Sequence, residues 1–153
     1  MKTTIRVATL VLALAGPAAA QMQHDKAAMD HRGHQAMGWD QSKATHTFSP
    51  APDGGRIEVA ANDTTDTVTI AAIRSHLNDI AKAFKAGDFD KPMFIHDQTP
   101  PGVPEMKRMK AAITYTYADT PRGGRVTIQS ADASAVEAVH AFLEFQKKEH
   151  AGQ

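Results

Sequence analysis

Two stretches of the chain alternate apolar and polar residues, and the same pattern occurs in both. Thr45–Phe48 opens the first stretch, which passes through a Pro-Asp-Gly-Gly turn at residues 52–55 before alternating again. Thr114–Tyr117 opens the second, which lies 69 residues further on and turns at Pro-Arg-Gly-Gly, residues 121–124. Alternation with a period of two on both sides of a glycine-bearing turn predicts a β-hairpin in each stretch.

A helical pattern follows each hairpin. The first is expected from about Asp66 to Ala86 and ends at Gly87, and its apolar stripe consists of Ile70, Ile73, Leu77, Ile80 and Phe84. The second is expected over residues 134–150, with a stripe of Val136, Val139 and Leu143. Aspartate is a favoured residue at a helix start, and glycine is favoured just past a helix end. The chain therefore contains a ββα unit twice.

Two such units predict an α+β fold. In the simplest packing, the hairpins form a four-stranded antiparallel sheet and the two helices pack on one face. The strand period places seven apolar residues on the covered face: Phe48, Ile57, Val59, Ile113, Tyr117, Val126 and Ile128. The link between the copies, residues 89–109, carries four prolines among apolar residues. We expect a proline-stiffened loop that packs against the body and roofs a cleft.

The chain begins like a secretory signal peptide. Lys2 and Arg6 precede an apolar run at residues 7–16, and Pro17–Ala20 provides small residues for cleavage before Gln21. The run is shorter than the roughly 20 apolar residues that a membrane span needs. We therefore expect a signal peptide over residues 1–20, a single domain over residues 39–153, and a periplasmic or secreted protein without a stable membrane anchor after cleavage.

Composition limits the chemistry. The chain has 17 basic and 17 acidic residues, so its formal net charge is zero. Nucleic-acid-binding proteins usually carry an excess of basic residues, and the balanced charge therefore argues against that class. It has no cysteine, which excludes disulfides, thiolate metal sites and covalent haem attachment. Eight histidines and seven methionines remain as borderline or soft metal ligands.

Residues 21–38 form a polar segment rich in histidine and methionine. The segment shows neither a helical nor a strand period, so we expect it to be mobile. Thioethers favour Cu(I) and Ag(I), and imidazoles suit copper, zinc and nickel. The segment is either a metal-binding tail or a solvated linker. Its candidate ligands are Met22, Met29, Met37, His24, His31 and His34.

Five further histidines lie in the expected domain. His46 shares the strand parity of Phe48 and should point inward, either as a hydrogen-bonded core residue or as a metal ligand. His96 lies in the link beside Asp97, whose carboxylate could orient its ring. His76, His140 and His150 flank the helix stripes, where structural or surface roles are commoner. No His-x-x-x-His pair occurs, so a site would need separate elements to converge, and the sequence leaves this open.

Residues 37–150 resemble a family of small exported bacterial proteins of unestablished activity. The resemblance rests on Met37–Gln41, Thr45-His46, Met93–Gln98 with Pro100–Val103, Pro121–Arg125 and Phe142–Gln146. It implies an association with heavy-metal handling, and it brings no family chemistry to these residues.

The leading hypothesis is an exported metal-binding protein that acts by chelation, buffering or delivery, with copper or silver favoured over zinc. The tail would capture ions, and His96 and His46 would form a second site. The first alternative is a small-molecule or haem-binding module that uses the proline-rich loop 92–104. The second is a partner-binding or dimeric protein that presents Phe142 and Phe145 to another exported protein or to itself. The sequence contains no recognisable catalytic motif, which favours binding over catalysis.

Overall fold

The structure is a computed structural model that describes residues 17–151, with side chains from residue 26 onward. Over this range the fold is α+β, with a four-stranded antiparallel sheet and five α-helices. None of these helices has the length and apolar character needed to cross a membrane. Most of the expected signal peptide lies outside the described residues, so it stays a prediction.

The sheet is built from two hairpins that pair through their second strands. Strands β1 (Ala44–Ala51) and β2 (Gly54–Ala61) form the first hairpin, and β3 (Ile113–Thr120) and β4 (Gly123–Ser130) form the second. The order is β1-β2-β4-β3, with β2 and β4 antiparallel at the centre. Both hairpins lie where the alternating pattern predicts them, because the glycine-bearing turns fix the point at which each chain reverses.

The five helices are α1 (Pro17–Met37), α2 (Thr67–Ala86), α3 (Asp90–His96), α4 (Val103–Arg108) and α5 (Ala133–Glu149). The two long helices after the hairpins begin within a residue of their predicted positions. The Asp66 carboxylate accepts the backbone N–H of Thr69 at the start of α2, and Asp132 caps α5 in the same way. Gly87, in the left-handed conformation with φ 82°, ends α2. Such caps satisfy backbone groups that a helix end leaves without intrahelical partners.

The core lies between the sheet and these helices. Helix α2 contacts β2, β3 and β4, whereas α5 contacts β1, β2 and β4. Six of the seven residues predicted to face inward are buried: Phe48, Ile57, Val59, Ile113, Val126 and Ile128. Tyr117 is only half-buried, because its hydroxyl reaches the exposed Asp119 carboxylate near the hairpin end.

The prediction that residues 89–109 form a proline-stiffened loop is wrong, because much of the segment is helical. Helices α3 and α4 occupy much of this segment. Pro92 and Pro104 lie in the first turns of these helices, where a backbone N–H has no intrahelical acceptor and proline therefore costs no hydrogen bond. The segment does pack against the body, through the buried side chains of Phe89, Ile95, Val103 and Met106.

Residues 21–38 also differ from the expected mobile segment, because α1 continues to Met37. The side chains of Met29 and Met37 are buried, and α1 contacts α3. Arg32 Nε donates to the Ile95 carbonyl oxygen at 2.9 Å, and Gln41 Nε2 donates to the Asp30 carbonyl oxygen at 3.1 Å. These tertiary contacts offset the ordering entropy that the polar sequence alone could not repay.

Gly123 provides a test of the central strand pairing. A Cβ atom at this position would lie 2.1 Å from the Val59 carbonyl oxygen and 2.9 Å from Ile73 Cγ2. Since the nearest atom belongs to the backbone of the paired strand, we expect Gly123→Ala to lower the free energy of unfolding by about 2–3 kcal/mol in urea denaturation. Gly38→Ala is the matched control: φ is 83° there but no atom lies within 4 Å of the added Cβ. The control should lower the free energy of unfolding by only about 1–2 kcal/mol, because alanine is strained in the left-handed backbone conformation. Equal losses, or a smaller loss at Gly123, would contradict the packing described.

Candidate functional site

A small apolar pocket lies between the sheet, α2, α3 and α5, next to the end of α1. Its cavity has a volume of about 60 Å³. Four histidines line it among the described side chains, and each comes from a different segment: His46 from β1, His76 from α2, His96 from α3 and His150 from the end of α5. The other lining side chains are mainly apolar and include Met37, Phe48, Ile80, Phe84, Ile95 and Phe142.

His46 is the most isolated polar side chain of the pocket. Its position on β1 turns it inward, as its strand parity predicts, and its ring stacks on His150 with the centroids 5.1 Å apart. Both ring nitrogens are buried, and neither has a hydrogen-bond partner among the described residues. His46 is therefore buried as a core histidine would be, but the expected hydrogen bond is not formed with any described residue. Burial, with smaller effects of the neighbouring His150 and His76, lowers the pKa of His46 from 6.5 to about 3. The ring is neutral at pH 7.

Trp39 connects His46 with His76. The Trp39 indole stacks on the His46 ring at 6.4 Å and meets the His76 ring edge-on at 5.3 Å. His76 forms a hydrogen bond with the Ala36 backbone, at the end of α1. Burial lowers the pKa of His76 from 6.5 to about 4, and the positive charge of Lys91 contributes to the shift. A second neutral imidazole therefore borders the pocket.

His96 is oriented by Gln146 of α5. The His96 Nε2 and Gln146 Oε1 atoms are 2.9 Å apart, so with the amide in this orientation Nε2–H donates and Nδ1 keeps a lone pair. That Nδ1 is buried without a hydrogen-bond partner in the described chain. Burial lowers the pKa of His96, against the opposing effect of the Gln146 hydrogen bond. The ring also packs edge-on against Phe145 at 5.0 Å.

The sequence suggested the wrong orienting residue for His96. Asp97 is exposed and adopts the left-handed conformation that ends α3, with φ 53°. Gln146, which sequence reasoning missed, is 4% exposed and lies four residues before His150. Residues at this spacing share a face of a helix. The spacing from His150 is the signal that could have identified Gln146, had His150 been recognised as inward-facing.

His150 joins the two halves of the pocket. Its ring lies against His46 on one side and meets the His96 ring edge-on at 5.4 Å. It is 8% exposed, so of the structural and surface roles expected from its place at the end of the helix stripe, the surface role is wrong. We refer to Trp39, His46, His150 and His96 together as the ring cluster.

Three of the eight predicted metal ligands line the pocket, namely Met37, His46 and His96. Met29 is also buried, but it lines a separate groove that reaches His96 from the other side. The structure therefore brings together residues that the sequence assigned to two different sites, a tail and a folded domain.

The remaining predicted ligands lie elsewhere. His31 and His34 are exposed on α1, and His34 Nδ1 is 3.1 Å from the Trp39 carbonyl oxygen. The side chains of Met22 and His24 lie outside the described residues. His140 is also outside the pocket, because its Nε2 donates to the Ala51 carbonyl oxygen at 2.8 Å.

Phe142 and Phe145 do not form the exposed aromatic surface that partner binding would use. Phe142 is 1% exposed and packs edge-on against Phe84 and Phe89 in the core. Phe145 is partly buried against His96. Helix α5 has a second apolar face because the link, residues 89–109, packs on it. The apolar stripe that faces the sheet gives no sign of this second face.

Two of the pocket imidazoles, His46 and His76, are neutral at pH 7. Among the described side chains that line the pocket, Lys91 is the only lysine or arginine, and there is no carboxylate. Among the side chains from residue 26 to residue 151, no three histidines or carboxylates are placed so that they could hold a metal ion as they stand. The cavity is also far smaller than the roughly 300–1,000 Å³ typical of small-molecule sites. The arrangement therefore has space for a small ion and lacks the volume that haem requires.

No family model, curated protein or solved structure matches this chain.

The buried imidazoles make a pH-dependent stability a testable consequence. His46 and His76 have pKa values of about 3 and 4 in the folded state, against 6.5 when unperturbed. At pH values between the folded-state pKa and 6.5, the unfolded chain binds more protons than the folded chain. The free energy of unfolding therefore rises with pH in this range and levels off above pH 6.5. Each histidine should contribute up to about 1.4 kcal/mol per pH unit. Urea denaturation at pH 4.5, 5.5, 6.5 and 7.5 measures the slope, and a flat profile would contradict neutral burial.

His46→Phe should stabilise the protein at pH 7. The substitution keeps an aromatic ring against Trp39 and His150 but removes two buried nitrogens that have no partner. Removing such groups should raise the free energy of unfolding by about 1 kcal/mol. Below pH 6.5, the free energy of unfolding of the variant should also depend less steeply on pH, because one histidine no longer binds a proton on unfolding. In the matched control His140→Phe, loss of the bond to Ala51 should instead cost about 1 kcal/mol. Equal destabilisation of the two variants would show that the His46 nitrogens are satisfied.

Proposed function

We propose that this protein binds a soft monovalent cation, Cu(I) or its analogue Ag(I), in the apolar pocket. It would act outside the cytoplasm as a chelator, buffer or delivery protein. The observation that carries the proposal is the convergence of Met37, His46 and His96 on a cavity where imidazole nitrogens are buried without partners. An unsatisfied buried polar atom costs about 1–3 kcal/mol, so its retention calls for a functional reason.

The charge of the pocket favours a monovalent ion over a divalent one. A cation that leaves water for an apolar site loses hydration energy, and the loss grows steeply with its charge. No carboxylate lines the pocket to compensate a divalent ion, and Lys91 adds a positive charge. Thioether sulfur selects Cu(I), whereas zinc sites commonly use four ligands. The donor set therefore supports copper or silver over zinc.

The low pKa values of His46 and His76 keep the lone pairs of these two rings available. A protonated imidazole cannot bind a metal, and metal affinity usually falls with pH for this reason. With pKa values of about 3 and 4, His46 and His76 stay neutral in mildly acidic surroundings. The His46 and His150 rings face one another, so a cation would require one of them to rotate its nitrogen into the cavity. Binding then involves no covalent or redox step.

We also propose that the fold is a duplicated ββα unit with both long helices on one face of the sheet. The order β1-β2-α2 is repeated as β3-β4-α5, and an aspartate caps the helix in each copy. A Cβ on Gly55 would meet Leu143 of α5, and one on Gly124 would approach Leu77 of α2. In a duplicated unit, Tyr115 would be the counterpart of His46. Only the first hairpin would then carry an inward-facing imidazole, so each chain would hold one metal site.

Anaerobic titration with Cu(I) against a chromophoric chelator tests the proposed function. The chain without residues 1–20 should bind one equivalent, and His46→Phe and Met37→Leu should each weaken binding by about 10–100-fold, the usual range for disturbing a metal site. His140→Phe, outside the pocket, should bind as the unaltered chain does. Zn(II) should bind more weakly than Cu(I).

Two results would contradict this site. One is the absence of Cu(I) binding by the unaltered chain. The other is binding that survives His46→Phe but is lost when His31 and His34 are both changed to glutamine, which would locate the ion on the exposed side of α1. Because His46→Phe is expected to be at least as stable as the unaltered chain, lost binding in that variant would not reflect unfolding.

A further inference from the structure

His96 lies between the pocket and a second, larger concavity. This outer groove has a volume of about 700 Å³ and is formed by α1, the end of α3 and the end of α5. Its lining includes Lys26, Met29, Arg32, His96, Asp97 and Glu149. His96 is the one residue that lines both the outer groove and the pocket. Its ring therefore separates a wide polar space from a narrow apolar one.

We infer that soft cations enter the pocket through the outer groove, with Met29 and His96 as successive donors. This route rests on the proposed function. Met29 supplies a thioether at the groove and Met37 another at the pocket, while the His96 imidazole lies on the boundary. A cation that enters by this route passes from one soft donor to the next and is never left in the apolar pocket without a ligand.

His96 is built for such a passage. Its Nδ1 is buried without a partner, so this nitrogen is available to a cation without breaking a hydrogen bond. Its Nε2 is held by Gln146, which lines the pocket and not the groove. Rotation of the ring away from Gln146 would open the boundary, and the same hydrogen bond would restore the closed position.

The ligands of the two surface spaces distinguish the entrances, since their charges do not favour the groove. Three cationic side chains and two carboxylates line the outer groove, namely Lys26, Arg32, Lys148, Asp97 and Glu149. On the other side, Lys91 lines both the pocket and a surface depression whose lining also includes Asp90 and Phe94. The described lining of that depression has no thioether or imidazole, whereas Met29 and His96 line the groove, so the His96 side is the favoured entrance.

Stopped-flow mixing with Ag(I), released from a weak ligand complex, tests the route. Trp39 is the single tryptophan and stacks on His46, so its fluorescence reports arrival of the ion at the ring cluster. We expect Met29→Leu to slow both binding and release about tenfold, the effect of raising one barrier by the free energy of a weak ligand contact. Because both rates fall together, the equilibrium affinity should stay unchanged.

Met106→Leu is the matched control, because Met106 is 0% exposed and lines neither space. It should leave both rates unchanged. Asp90→Asn separates the two entrances, because Asp90 lines the depression beside Phe94 and does not line the pocket. Unchanged rates in this variant support the His96 side. Slower binding in Asp90→Asn, together with unchanged rates in Met29→Leu, would overturn the route while leaving the proposed function intact. If the unaltered chain shows no Ag(I) binding at equilibrium, the proposed function and the route both fail.

Discussion

The burial of histidine rings from separate segments is the constraint on which the rest of this structure depends. His46 lies on the sheet, His96 on α3 and His150 at the end of α5, and their rings meet only because three separate parts of the chain pack together. Protonation of His46 would introduce a charge into an apolar space whose described lining has no carboxylate to balance it. The sheet, the link and the end of α1 therefore meet at one buried ring cluster.

Local sequence signals predicted the frame of the fold well. The period of two, the glycine-bearing turns and the capping aspartates Asp66 and Asp132 act over a few residues, so they operate in the same way whatever surrounds them. The inward orientation of His46 followed from the same parity, because a strand alternates its faces strictly. These signals identified two hairpins and two long helices, and each lies within about a residue of its predicted position.

Features that depend on tertiary contact were not predictable in this way. Pro92 and Pro104 suggest a loop when read alone, yet each occupies a first turn where a helix tolerates proline. Gln146 is ordinary for a helix surface, and only the arrival of His96 from the link gives it a partner. Helix α1 shows no apolar period, and the burial of Met29 and Met37 against the body becomes visible only when α3 is in place.

The position of the pocket follows from a difference between the two hairpins of the sheet. His46 on β1 corresponds in sequence to Tyr115 on β3, and both are inward-facing side chains with buried atoms that lack partners in the described chain. The link that brings His96 lies between the two hairpins, and the helix that His150 follows comes after the second hairpin. The sheet and the two long helices thus supply the walls together with His46, His76 and His150, while the link adds His96. Because the donors come from different segments, ring rotations can alter the pocket without disturbing the strand pairing that supports it.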